Sequence, residues 1–376
     1  MRKFAPVLDG PNAAALQVLA EQDSEVRATL FERIVEQYPQ AAMVFPAGAT
    51  EVPQVLLDAT SFTLASTQES EAAGATIPEA TLTPLHEWAL DLRRTGFPAS
   101  EFPAVAEIVG GVVGVDTQVL VRAAQEMERV SREADEAGVA AASVAQVAQV
   151  SQDGSAWIVR AEASAAVGYA AGQALPVMRA GNQGVWWACA PAVPPNRFGQ
   201  LEFHLDGPDV EVGDYLTLGA ARGPAVRANR PKMLLVAVGT GWAAAKSVVF
   251  GLIEERIRPE VHLVLCGDDA DDFYDARTIN CLADSQPWLQ VTRVASTAGE
   301  FGESAARAIW VPGAAFVSAP GTWWDHQIVL CGTGAEVAEY REALDAAGAR
   351  GVLTCATDAT VQFPKASSGE RPPVRR

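Results

Sequence analysis

Leu234-Leu-Val-Ala-Val-Gly-Thr-Gly-Trp-Ala243, followed further along the chain by Ile328-Val-Leu-Cys-Gly332, is the pair of segments that decides the fold. Each opens as a short, wholly apolar run, the pattern of a strand buried on both faces. The first passes through Gly-Thr-Gly into a helical pattern, and the second ends in Cys-Gly. Strand and helix repeated in this way predict a parallel α/β sheet. Glycines at a strand end also let backbone amides approach a pyrophosphate at a helix N-terminus.

Outward from these segments the chain divides into three parts and a tail. Apolar residues at three- and four-residue spacing predict helices over Ala13–Glu21, Glu25–Gln37, Val55–Ser66, Pro84–Arg94, Ala99–Val113 and Gln118–Glu136. This gives an all-α domain over 1–150, with Pro39, Pro46, Pro53, Pro78, Pro84 and Pro98 at helix limits. Short β-type runs at Ala156–Glu162, Leu201–Leu205 and Tyr215–Leu218 predict a small antiparallel barrel over 151–228. Strands at Lys232–Val238, Glu260–Cys266, Leu289–Val294, Gln327–Cys331 and Gly351–Leu353 alternate with helices in an α/β domain over 229–365. The Ser, Gly, Pro and Arg of 366–376 predict a disordered tail.

Composition excludes several function classes. A net charge of −18 disfavours nucleic acid and anionic membranes as partners. No apolar run approaches the ~18 residues of a membrane span, and the N-terminus lacks a signal-type apolar region, so a cytoplasmic protein is expected. The five cysteines are far apart and include no Cys-x-x-Cys pair, which predicts neither zinc nor a disulfide framework. His86, His204, His262 and His326 are not at metal spacing, and no Gly-x-Ser-x-Gly or phosphate-loop motif occurs. No catalytic constellation is expected.

Helical domain, small barrel and nucleotide-binding α/β domain in this order resemble flavohaemoglobin, whose last two domains are of the ferredoxin reductase type. Matching stretches in the first domain are Leu30-Phe-Glu-Arg-Ile-Val-Glu-Gln-Tyr-Pro39, Val44-Phe45 and Thr95-Gly-Phe-Pro-Ala-Ser-Glu-Phe-Pro-Ala-Val-Ala-Glu107. In the barrel they are Gly172-Gln173, Leu201-Glu-Phe-His204 and Val212-Gly-Asp214, and in the third domain Asp272-Phe-Tyr-Asp275 and Pro287-Trp-Leu289.

The resemblance implies haem, FAD and nicotinamide sites, and at each the key residues differ. The position of the proximal histidine is Leu92, which cannot ligate iron. His86, six residues earlier, is rotated roughly 120° from that face of the helix. The distal tyrosine corresponds to Phe31, and the tyrosine that supports the proximal histidine to Phe102; the ring-packing Phe45 is retained. At the flavin site the Arg-x-Tyr-Ser strand reads Val185-Trp-Trp-Ala188, so Val185 supplies no charge and Ala188 no hydroxyl, while Trp187 could stack a flavin. The helix that would hold the FAD pyrophosphate is reduced to Asp206-Gly-Pro-Asp-Val-Glu211, and the segment that would cover the flavin reads Leu353-Thr-Cys-Ala-Thr357, without acid or aromatic ring.

The nicotinamide site keeps most. Gly239, Thr240, Gly241, Cys331 and Gly332 are the positions at which NADH binding would persist, although Trp242 threatens to fill the cleft. Asp268-Asp-Ala-Asp-Asp272 would repel a 2'-phosphate, so any residual preference would be for NADH over NADPH, but an ordinary solvated loop is the preferred reading of it. The expected function is therefore a haem-free, FAD-free pseudoenzyme acting as an adaptor or regulatory protein. The alternative is an NADH-dependent flavin oxidoreductase that holds its cofactor atypically. Residues 66–84, rich in Thr, Ser, Glu and Pro, form an expected exposed loop in which Thr67, Thr76, Thr81 and Thr83 are candidate sites for a kinase, with a phosphothreonine-binding domain as partner.

Overall fold

The computed structural model describes residues 12–67, 77–207, 210–269, 272–297, 309–319, 323–359 and 363. The chain forms two compact units: 1–141 with 182–185 and 361–376, and 142–181 with 186–360.

The first unit is helical. It contains α1 (Ala13–Glu21), α2 (Asp23–Gln37), a 3-10 turn at Pro39–Met43, α3 (Gln54–Ser66), α4 (Glu79–Leu92), α5 (Phe102–Val113) and α6 (Gln118–Glu136). Pro39 stops α2, since a proline disfavours helical geometry in the residue before it, and Pro53 and Pro78 stand immediately before α3 and α4. In α6, Leu120, Ala123, Ala124, Met127 and Ser131 are buried at helical spacing, and Ser131 donates its hydroxyl to the Ala89 carbonyl. The expected start of the fourth helix at Pro84 is corrected: the helix begins at Glu79 and takes Pro84 into its interior. Both Pro78 and Pro84 carry a start signal. The earlier one wins because Thr81, Leu85, Trp88 and Ala89 then form one buried stripe.

The second unit opens with six antiparallel strands: β1 (Ser143–Asp153), β2 (Ala156–Ala163), β3 (Leu175–Arg179), β4 (Trp187–Cys189), β5 (Gln200–Leu205) and β6 (Tyr215–Leu218), in the order β4-β3-β6-β1-β2-β5. A bridge between Pro191 and Phe203 brings the chain after β4 against β5 and closes the sheet toward a barrel. The expected helical stretch to residue 150 is corrected, because β1 starts at Ser143. A bulge between Val147 and Gln149 changes the spacing of inward residues from two to three, so Ala145, Val147 and Val150 mimic a helical period in sequence.

The rest of this unit is a parallel sheet with its helices. Its elements are β7 (Lys232–Val238), α7 (Trp242–Glu254), β8 (Glu260–Gly267), α8 (Ala276–Ser285), β9 (Leu289–Ala295), β10 (Ile309–Trp310), α9 (Gly313–Val317), β11 (Gln327–Gly332), α10 (Gly334–Ala346) and β12 (Leu353–Ala356). The strand order is β10-β9-β8-β7-β11-β12, with apolar clusters on both faces. From β7 the chain winds outward through β8, β9 and β10, then crosses back to β11 beside β7. The carboxyl ends of β7 and β11 therefore flank the point where winding reverses, the place where open α/β sheets bind ligands. The last strand lies at Leu353–Ala356 rather than Gly351–Leu353, and the tail at 366–376 is outside the described residues.

Candidate functional site

Gly239–Gly241 forms a 3-10 turn between β7 and α7, and Cys331-Gly332 ends β11 beside it. The two glycine-containing segments serve each other. A Cβ on Gly241 would overlap the backbone carbonyl of Cys331, so the close approach these residues permit is between β11 and the turn itself.

Amides at the start of α10 and after β8 are already used by the protein's own carboxylates. Thr333 and Glu336 form a reciprocal cap on α10: Glu336 Oε2 accepts the Thr333 N–H at 2.7 Å, and Thr333 Oγ1 accepts the Glu336 N–H at 3.4 Å. Asp358 Oδ1 accepts the Gly334 N–H at 2.6 Å. The Glu336 carboxylate sits beside both glycine segments, 3.0 Å from the Cβ position of Gly332 and 3.5 Å from that of Gly239. After β8, Asp272 Oδ2 accepts the N–H of Asp268 at 2.6 Å and of Asp269 at 3.3 Å. The acidic loop is folded on its own carboxylate. A phosphate would have to displace charges of its own sign from each of these amides.

Trp242, the first residue of α7, is 2% exposed and packs in the core cluster beneath the sheet. Its indole N–H donates to Asp275 Oδ2 at 3.1 Å. Asp275 belongs to a buried polar network that the sequence reading did not assemble. Lys246 of α7 reaches Asp275 Oδ2 and Glu202 Oε1 of β5, both at 2.7 Å. Arg160 of β2 binds Glu202 Oε2 at 2.8 Å. His204 lies 3.1 Å from Glu202 Oε1 and 2.9 Å from the Tyr274 hydroxyl. Asp275 holds a left-handed backbone, φ 54°, with its N–H on Asp153 Oδ2. Lys246 and Arg160 thus face Glu202 and Asp275, with Asp153 on the Asp275 amide, and these contacts tie β5 and β2 to α7 and the segment before α8.

The proton positions follow from the donor inventory. Burial would push the Glu202 carboxyl up, but the His204 hydrogen bond, Lys246 and Arg160 together hold it well below the usual carboxylate range. A carboxylate only accepts, so His204 Nε2 carries a proton toward Glu202. Burial pushes the His204 pKa below its ordinary value and keeps the ring neutral, leaving Nδ1 to accept from the Tyr274 O–H. Burial, followed by the charge of Asp275, raises the Tyr274 pKa.

A pH dependence follows. His204 and Glu202 both have depressed folded pKa values, so their stabilisation is complete at neutral pH. Below about 6.5 an unfolded histidine takes up a proton that folded His204 resists; below about 4.3 the unfolded glutamate does so while Glu202 stays ionised. Urea unfolding followed through a probe in the barrel and parallel-sheet unit should show stability falling from pH 7 toward pH 4. A His204→Gln variant should lose the first part of that slope; a wild-type curve flat between pH 7 and 5 would contradict the assignment.

In the helical unit, Leu92 ends α4 and packs with Phe97 and Phe102 against one core cluster. Phe97 and Phe102 stack with ring centroids 6.3 Å apart, and Phe31 meets Phe45 at 5.2 Å. None of these side chains can donate to iron. His86 points from another side of α4, and its Nε2 is buried without a partner among the described residues. Leu92, Phe31, Phe97 and Phe102 do not fit a haem held through a proximal ligand.

In the barrel, Trp187 packs against the core beside Val177, and Ala188 carries no polar group. Val185 belongs to the other compact unit. The described residues between β5 and β6 contain no helix, and Glu211 N–H turns back onto Asp214 Oδ2 at 2.8 Å. These residues provide no cradle for a flavin pyrophosphate.

Of the candidate threonines, Thr81 is 2% exposed and lies on the buried stripe of α4, which corrects its placement in an exposed loop. Thr67 turns its hydroxyl back to the Thr63 carbonyl at 2.9 Å. Thr83 is exposed, and Thr76 is outside the described residues. Among the described residues no group of three or more acids, histidines and cysteines could hold a metal, and no helix is long and apolar enough to cross a membrane.

No family model matches the chain, and neither does any curated protein. Solved structures do. A flavohaemoglobin from Malassezia yamatoensis with bound FAD and haem aligns at TM-score 0.66 and 14% identity, covering 93% of this chain and 100% of that one. The ferredoxin reductase of carbazole 1,9a-dioxygenase aligns at TM-score 0.50 and 20% identity over 57% of this chain and 69% of its own. An Amycolatopsis cytochrome P450 reductase gives TM-score 0.50 and 20% identity over 60% and 71%. The fold is therefore a globin-like helical domain joined to a ferredoxin reductase-like barrel and parallel sheet.

Proposed function

We propose that this chain is a redox-inactive scaffold on a flavohaemoglobin-like fold, working through protein partners rather than through electron transfer. The observation that carries this reading is the set of carboxylates, Glu336, Asp358 and Asp272, lodged on the backbone amides at the strand ends where a nucleotide would bind. Leu92 in the helical unit supports it from an independent site, because leucine supplies no ligand to a haem iron.

Charge describes the partner. A surface with net charge −18 selects a protein with a basic docking face. Regulation by phosphorylation rests on Thr83, the exposed member of the candidate set in the first turns of α4, and on Thr76 before it. Phosphate on Thr83 would offer three acceptors to a phosphothreonine reader.

Purified protein should be colourless, and neither added FAD nor NADH should give saturable, stoichiometric binding by calorimetry. NADH oxidation with added FAD and haemin should stay at the buffer rate. A Soret band that survives gel filtration and disappears in His86→Ala would establish haem ligation by His86 and end this reading. Stoichiometric FAD binding would do the same in favour of a flavin oxidoreductase.

A further inference from the structure

We propose that the apolar surface shared by α3 and α4 is a peptide-docking site whose resident occupant is Phe363, a residue of the chain's own C-terminal segment. Phe363 comes from far downstream and joins a buried cluster whose other members, among them Ala59, Leu85, Trp88, Ala89, Phe102 and Met127, belong to the helical stretch of the sequence. Phe363 is 8% exposed. Its ring lies 5.6 Å from Phe62 of α3, tilted by 41°, and 5.6 Å from Trp88 of α4, edge-on at 85°. Aromatic pairs of this kind contribute beyond their buried area, and buried aromatic rings are common interface anchors.

The inference rests on the haem-free reading above. Trp88 stands one helical turn before Leu92 on the same face of α4, so the face that would have turned toward a prosthetic group is covered by a side chain of the C-terminal segment. The anchor is joined to the helical stretch only through the whole second unit, so withdrawing it requires no helix to unfold. It would leave Phe62, Trp88 and their neighbours as an apolar acceptor for the same kind of segment.

The test uses the full chain carrying Phe363→Ala and a fluorescent synthetic peptide spanning residues 358–369. The peptide should bind the variant saturably and at least tenfold more tightly than it binds wild type, where the site is filled; the same peptide with alanine at 363 should not bind. Hydrogen exchange of α3 and α4 amides should accelerate in the variant and return toward wild type when peptide is added. A folded variant whose protection is not restored by saturating peptide, or equal binding to variant and wild type, overturns the proposal. Should Phe363→Ala fail to fold, Phe363→Leu, which keeps an apolar side chain but not the ring contacts, takes its place in both measurements. Soret absorbance of the same samples separates the premises. Haem in wild type overturns the reading beneath the proposal, whereas peptide failure in haem-free protein overturns the docking alone.

Discussion

Lys246→Met is expected to destabilise the barrel and parallel-sheet unit by about 3–5 kcal/mol, the range for removing one partner of a buried ion pair. Lys246 is the cation between Glu202 and Asp275, and all three side chains are almost wholly buried. Without it Asp275 keeps only the Trp242 N–H on its inner oxygen, and Glu202 keeps Arg160 and His204. Two carboxylates then face each other across the vacated space. The network predicts its own control: Lys246→Met combined with Glu202→Gln and Asp275→Asn removes the charges together and should recover much of the loss. Urea unfolding at pH 7 reads both. A single variant within 1 kcal/mol of wild type would mean the pair is worth no more than a surface bridge.

Gly241→Ala should be the second large loss, about 3 kcal/mol, at the upper end for overpacking. The added methyl meets the Cys331 carbonyl and the Gly332 backbone, neither of which can rotate aside as a flexible side chain would. Gly251 in α7 is the comparison, since a Cβ there meets nothing nearer than Ala171 at 3.9 Å. Gly251→Ala should stabilise by about 0.5–1 kcal/mol through helix propensity. Thermal melts of both variants, with and without NADH, decide whether the glycine turn serves packing or a nucleotide. A stable Gly241→Ala protein that has only lost NADH affinity would point to the nucleotide.

The parallel sheet was legible because the central runs of β7 and β11 are apolar on both faces and β8 is interrupted only by His262, and α1 and α6 because their stripes keep period. β1 was not. Its bulge shifts the alternation at Ala148, so the inward Ala145, Val147 and Val150 do not keep the period of two that marks a strand. The Glu336 cap did have a local signature, Thr333-Gly-Ala-Glu336, whose spacing is that of a capping box. The buried network had a weaker one: Lys246 is the single cation in the apolar helix Trp242–Glu254, a sign that a carboxylate must meet it. Which carboxylates do so could not be read, because Glu202 and Asp275 are brought to it by the pairing of separate sheets with α7. Thr81 was misplaced for the same reason as Pro84, since the helix starts one proline earlier than the strongest apolar pattern.

The carboxylates on the amides of Gly334, Thr333 and Asp268 carry a thermodynamic consequence. A protein whose strand ends are filled by a diffusible ligand gains stability in proportion to the logarithm of ligand concentration, and loses it when the ligand runs short. Glu336, Asp358 and Asp272 are attached to the same chain as the amides they satisfy. Their local concentration is set by covalent geometry and cannot be diluted, so on the proposed reading the stability of these strand ends does not vary with the supply of a nucleotide.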